Sequence, residues 1–259
     1  MLFGAPRFLW LWLQFHFVFF GLTYSLLAPE WFKAEVVMTQ SGKKSLGSGI
    51  SQLSGLVGLA GIDVADSDQK RPLAVLRSKA FARDFIEERD LAEEILESRV
   101  GPNGEIDVRD AVKFFDEKVR KVTEDKRSGL ITLSVTWKDP KVAAEWANML
   151  VARLNNRLQN EALAESQKNV TFLQREISGT SVIALQQSLG KVLEGEMQKL
   201  MMARGNDQFA FRIIDPAEPP KVRESPKRRQ IVLISAFVGF FLSALTVLIR
   251  KSSSRGSIF

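Results

Sequence analysis

The sequence predicts an α+β membrane protein: two terminal transmembrane helices flanking a membrane-proximal mixed α/β domain that carries a long extended helical hairpin. Three observations predict it. Residues 8–27 form a run of 20 residues without a formal charge. Residues 231–249 form a second such run of 19, bounded by Arg228, Arg229, Arg250 and Lys251. Between them, strand-like segments alternate with a stretch, Lys141 to Ile177, that neither proline nor glycine interrupts.

The elements follow in chain order. Seven residues precede the first span. At about 1.5 Å per residue, residues 8–27 cover roughly 30 Å, the thickness of the hydrocarbon core. Trp10, Trp12, Tyr24 and Trp31 lie towards its ends, where amphipathic rings sit at headgroup level. Residues 28–230 form the α/β domain. Lys33–Thr39 and Phe209–Ile214 read as strands, and Leu130–Trp137 alternates Ile131, Leu133, Val135 and Trp137 against Thr132, Ser134 and Thr136. Pro72–Glu88, Leu91–Glu97 and Val108–Glu124 read as helices. Asp139-Pro140 opens the main helix with an N-cap and a first-turn proline. Residues 141–177 then span on the order of 55 Å, with Trp146, Leu150, Leu154, Leu158 and Ala162 as a narrow apolar stripe. Ser178-Gly179-Thr180 breaks the helix, and 181–203 form a second one bearing Leu185, Leu189, Val192, Leu193, Met197 and Leu200. A helix of that length projects, packs against neighbouring copies, or folds back as a hairpin. Residues 215–226 form a proline-rich tether with Pro216, Pro219, Pro220 and Pro226. The second span, 231–249, carries Ser235, Gly239 and Ser243 on one face, a small-residue stripe suited to close helix packing. Residues 250–259 form a tail on the same side as the N-terminus.

Composition narrows the chemistry. Cysteine is absent, and the single histidine, His16, lies in an apolar run. Thiol nucleophiles, disulfides and imidazole general bases are therefore excluded from the middle of the chain. No catalytic, cofactor-binding or metal-binding residues are expected. Gly42 to Gly61 holds six glycines but fits no nucleotide-binding loop. Glu87-Glu88 and Glu93-Glu94 read as solvated helix faces, and Asn169-Val170-Thr171 as a chance sequon. The net charge is +6, yet residues 28–220 carry 27 Lys/Arg against 29 Asp/Glu. The excess lies beside the apolar ends, notably in KVRESPKRR (221–229). That placement indicates a lipid bilayer as partner and argues against nucleic acid. Charge alone does not orient the middle, since a domain of this length crosses a membrane regardless of flanking bases.

The order of two spans, an α/β middle and long helices, with the segments YSLLAPEWFKAEVVM, GLITLSVTWKDPKVAAEWANMLVARLN and FRIIDPAEPPKVRESPKRR, resembles the chain-length determinant (Wzz-type) proteins, or polysaccharide co-polymerases. The resemblance runs from about Tyr24 to Arg250. It implies a bacterial inner-membrane protein with both termini cytoplasmic and the middle periplasmic. It implies homo-oligomeric rings built from the long helices, and non-enzymatic control of the length of O-antigen, lipopolysaccharide or a related polymer. That polymer is made by a separate Wzy-type polymerase, so the growing polysaccharide chain and the polymerase are the implied partners. On this reading Ser235, Gly239 and Ser243 meet a neighbour or the polymerase, and the stripe Trp146, Leu150, Leu154 and Leu158 serves subunit contacts. Relatives usually carry a longer lead before the first span, so a longer start is expected. Some relatives fuse a tyrosine kinase with a Walker loop and tyrosine-rich tail, whereas this sequence closes on KSSSRGSIF. An export adaptor in the same architecture is the rival reading.

Overall fold

A computed structural model describes residues 23, 27–41, 64–96 and 107–255. Most of the first apolar run, the glycine-rich stretch 42–61 and the last four residues lie outside the described residues. The chain divides into two compact units. One comprises Ala34–Thr136 and Lys141–Pro219; the other comprises residues up to Lys33, Trp137–Pro140 and the chain from Pro220 onward.

In chain order the elements are β1 (Phe32–Gln40), α1 (Val64–Arg77), α2 (Lys79–Glu88), α3 (Ala92–Leu96), α4 (Val108–Phe114), β2 (Arg120–Asp125), β3 (Leu130–Trp137), α5 (Pro140–Gly179), α6 (Ile183–Arg204), β4 (Phe211–Asp215) and α7 (Arg228–Arg255). A π turn, Phe115–Val119, joins α4 to β2. The sheet has the order β2-β3-β1-β4. β1 pairs antiparallel with β4, with an irregularity between Val37 and Met38, and β2 pairs antiparallel with β3. Segments far apart in sequence are thus neighbours in one sheet, as their apolar alternation requires: Ala34, Val36 and Met38 of β1 and Ile131, Leu133 and Val135 of β3 are buried.

One predicted helix is shorter than expected. Val108–Glu124 reads as one helix, but from Arg120 the chain is a strand. The turn after it explains why. Asp125 accepts hydrogen bonds from the Arg127 N–H (2.9 Å) and the Ser128 hydroxyl (2.7 Å), and the Gly129 N–H donates to the Asp125 carbonyl (2.8 Å). Gly129 takes a left-handed φ of 71°, which a residue without Cβ adopts freely. This turn sets β2 against β3, and the pairing outweighs the local helical preference of 120–124.

The core of the larger unit is aromatic at its centre. Phe85, Phe115 and Trp146 meet pairwise at ring-centroid distances of 5.9–6.4 Å, in tilted and edge-on geometries favoured by the ring quadrupole. Behind them Arg120 is buried. Its guanidinium donates to the carbonyls of Leu76 (2.6 Å), Ser78 (3.2 Å) and Arg77 (3.4 Å) and pairs with Asp116. It therefore caps the end of α1 while Ser78 caps the start of α2, its Oγ accepting from the Phe81 N–H (3.1 Å). Burial pushes the Arg120 guanidinium below its ordinary value, and Asp116 opposes that shift.

The long helix is continuous over 40 residues, about 60 Å. It ends near the predicted break, and after residues 180–182 α6 returns antiparallel to it. Asn169 reaches Glu196 (3.3 Å), and Gln159 donates to the carbonyl of Ala203 (2.8 Å).

In the other unit, Trp31 and Trp137 pack edge to face at 6.1 Å, with the Lys138 ammonium 5.9 Å from the Trp31 ring centre. The Trp31 N–H donates to the Ser225 carbonyl (2.9 Å), and the Glu224 N–H donates to the Trp31 carbonyl (2.8 Å). Residues 231–249 fall within α7. Among the described residues no helix is long and apolar enough to cross a membrane.

Candidate functional site

Among the described residues three surface features stand out: a polar groove on α2 and α5, the apolar flank of the hairpin, and the basic segment leading into α7.

The groove has a volume of about 570 Å³ and is lined by Asp84, Glu88, Arg89, Met149, Arg153 and Arg157, among others. Arg157 is shared between Asp84 (2.6 Å) and Glu161 (3.1 Å), and Glu161 also takes Arg71 (3.0 Å). The Glu161 and Asp84 carboxylates hold the Arg157 guanidinium above its ordinary value. Arg153 pairs with Glu88 and lies over the Phe81 ring at 6.0 Å. Partial burial lowers its guanidinium, and its Nε–H is buried without a partner among the described residues. Glu88, read from sequence as part of a solvated face, is exposed and also pairs with Arg153. Among the described residues no group of three or more His, Cys, Asp or Glu side chains is placed to hold a metal ion.

The stripe Trp146, Leu150, Leu154 and Leu158 lies in the core of its own unit, between 0 and 6% exposed. This corrects its expected position on an intersubunit surface. In the first half of α5, Trp146 packs on Phe85 and Phe115 and Asn155 holds Phe211, so the apolar face there is consumed within the chain. Large apolar residues are instead exposed towards the far end and along α6: Phe172, Ile183, Leu185, Val192, Met197 and Met201. Leu200, read as part of the same α6 series, is buried. The sequon residue Asn169 sits inside α5 and is held by Glu196, whose carboxyl is kept below its usual range chiefly by Lys199 (2.7 Å).

Sequence reasoning missed a row of amides on α5. Asn148, Asn155 and Gln159 bind the backbone of the returning chain. Asn148 donates to the Ala217 carbonyl (2.9 Å) and accepts the Ala217 N–H (3.0 Å). Asn155 does the same to Phe211, at 2.9 and 2.8 Å, and also accepts the Ala210 N–H (3.0 Å). The signal was available: asparagine is a poor helix former, and two spaced by seven among buried apolar positions mark a polar seam.

The proline-rich segment divides between these anchors. Pro216 and Pro219 are exposed, but Ala217 between them is buried and pinned by Asn148, and Pro226 is buried. Pro220 is half-buried. In α7, Ser235 is half-buried and its hydroxyl donates to the Val232 carbonyl (2.9 Å), while Gly239 is buried. Leu233, Ile234, Phe237 and Phe241 on other faces are exposed. The side chain of Ser243 lies outside the described residues.

Residues 165–252 match a family model described as the G-rich domain on putative tyrosine kinase (GNVR). The chain is 30% identical over 109 residues to the tyrosine-protein kinase ptk of Acinetobacter johnsonii; the match covers 42% of the chain and 14% of the length of that kinase. Among solved structures, it is similar to a full-length bacterial polysaccharide co-polymerase at 14% identity and a TM-score of 0.44, covering 96% of this chain and 95% of the other. A fragment of the polysaccharide co-polymerase WzzB from Salmonella Typhimurium also matches at 14% identity, with a TM-score of 0.35, covering 76% of this chain and 100% of that one. The family match thus covers about a third of the chain, from the outer part of α5 through α6 and β4 into α7, and the chain spans only a small part of the kinase that it matches.

Proposed function

We propose that this chain is a non-enzymatic regulator of the length of a bacterial surface polysaccharide. It works as an oligomeric inner-membrane scaffold for a Wzy-type polymerase and its growing chain. The observation that carries the reading is the hairpin: α5 and α6 are joined by Asn169–Glu196 and Gln159–Ala203, yet leave Phe172, Ile183, Val192 and Met201 uncovered in the single chain. Such a surface on a secreted or periplasmic domain calls for a partner, and repeated copies supply one. A ring raises the effective concentration of weak polymer contacts, so that each subunit needs little affinity of its own.

The membrane placement belongs to the same proposal. Residues 8–27 and 231–249 cross the bilayer, both termini are cytoplasmic, and the α/β domain is periplasmic. Ser235, Gly239 and Ser243 form the face on which α7 meets another helix, since small residues permit close backbone approach. The proline-rich segment 215–226 is a stiff tether between domain and span.

The deciding experiment is a gel of surface polysaccharide from a strain lacking the gene. The expected result is polymer that persists while its preferred length collapses to a smear of mostly short chains. Loss of surface polymer with accumulation inside the cell would instead identify an export component.

A further inference from the structure

Five bases, Lys221, Arg223, Lys227, Arg228 and Arg229, line one open cleft of about 490 Å³ at the start of α7. Glu30 faces two of them, accepting from Arg223 (2.7 Å) and Arg228 (2.9 Å). One carboxylate does not neutralise two guanidiniums, but it fixes their positions. Lys221, Lys227 and Arg229 form no ion pair among the described residues. Arg228 keeps a buried Nε–H without a partner, and buried donors are almost always paired. The first turn of a 28-residue helix adds a partial positive charge at the same place. Solvated surface lysines would need neither a fixed guanidinium pair nor a concave lining.

We propose that this cleft binds a phosphate group carrying more than one negative charge, a phosphomonoester or diphosphate, presented as the headgroup of a membrane lipid. Arg223 and Arg228, ordered by Glu30, supply forked donors suited to phosphate oxygens. Lys227 and Arg229 supply the unneutralised charge that separates a dianion from a monoanionic phosphodiester. The lipid source rests on the membrane placement of residues 231–249 proposed above, because that placement sets the cleft at headgroup depth.

The test uses the full chain reconstituted in phosphatidylcholine vesicles that also contain phosphatidylglycerol, with one charge, or phosphatidic acid, a phosphomonoester. Lipid retained by the extracted protein is counted by native mass spectrometry. The expected result is retention of phosphatidic acid over phosphatidylglycerol by about thirtyfold, in line with two headgroup-facing bases near a membrane surface. Lys227→Gln with Arg229→Gln removes that preference, and Lys221→Gln alone reduces it. Lys168→Gln with Lys191→Gln, the same charge change on the hairpin, leaves it intact. Equal retention of the two lipids by the unaltered protein, or the same loss in the hairpin control, overturns the proposal. Displacement of phosphatidic acid by inorganic diphosphate at equal concentration overturns the lipid source and leaves a soluble phosphate as ligand; resistance to it supports the lipid. Flotation after an alkaline carbonate wash is read separately. Protein that fails to float refutes the membrane placement, whereas protein that floats without lipid preference refutes only the cleft.

Discussion

Asn155, in the middle of the long helix, closes a two-way hydrogen bond on the backbone of Phe211, donating to its carbonyl and accepting its N–H. The side-chain amide thus stands in for a neighbouring strand at the start of β4. It is 3% exposed, and Phe211 beneath it is fully buried. Asn155→Ala leaves three buried backbone groups unpaired, which costs about 3 kcal/mol. Chemical unfolding of the full-length protein in detergent checks this; a loss below about 1 kcal/mol would show that water replaces the amide.

Arg120 holds three carbonyls at the junction of α1 and α2 and pairs with Asp116 inside the unit. Arg120→Met removes the cap and strands the Asp116 carboxylate, and should destabilise by about 3–5 kcal/mol. Adding Asp116→Leu to it removes the stranded charge and should recover part of the loss. No recovery in the double variant would mean that the carbonyl caps, not the ion pair, dominate.

The apolar stripe of α5 and the exposed apolar residues of α6 should separate in experiment. Leu154→Ala opens a cavity in the subunit core and should cost about 2–5 kcal/mol. Val192→Glu and Met201→Glu, on the exposed flank, should each change subunit stability by less than about 0.5 kcal/mol, yet lower the oligomer mass measured by light scattering and shift the polysaccharide band. Unchanged mass and band in both would remove the hairpin flank from the proposed assembly.

The surface ion pairs of the groove should matter little to stability. Arg157 and its partners Asp84 and Glu161 are more than a third exposed, so Asp84→Asn should alter unfolding by no more than about 1 kcal/mol. A larger loss would make the groove a folding element and not a free surface.

The turn between β2 and β3 should open in acid. Hydrogen bonds from the Ser128 hydroxyl and the Arg127 N–H hold the Asp125 carboxyl below its ordinary value of 3.8. A lowered folded-state value means that its stabilising contribution is complete above the ordinary carboxylate range and is lost as pH falls through the lowered value. Hydrogen exchange at Gly129 should therefore quicken at the acid end, relative to its intrinsic rate, and the quickening should vanish in Asp125→Asn.

How much of this was legible beforehand differs by element. β3 was placed at its observed ends because Ile131, Leu133, Val135 and Trp137 alternate cleanly. The long helix was legible from its N-terminal proline and its freedom from breakers, and its return from Ser178-Gly179-Thr180. β2 was not, because RKVTED carries little alternation of its own, and its strand state comes from the turn that pairs it with β3. The amide row left a trace in the sequence, two asparagines seven apart in a helix, but its partners were fixed only when β4 and Ala217 were brought against it.

The sequence alone determined where charge and apolar runs lie, which elements are long, and which chemistries lack their residues, because composition and periodicity are properties of the chain itself. Only the tertiary structure decided which apolar stripe is core and which is surface. Burial depends on what the rest of the chain covers: Trp146, in the apolar series of α5, is buried, and Val192, in that of α6, is exposed.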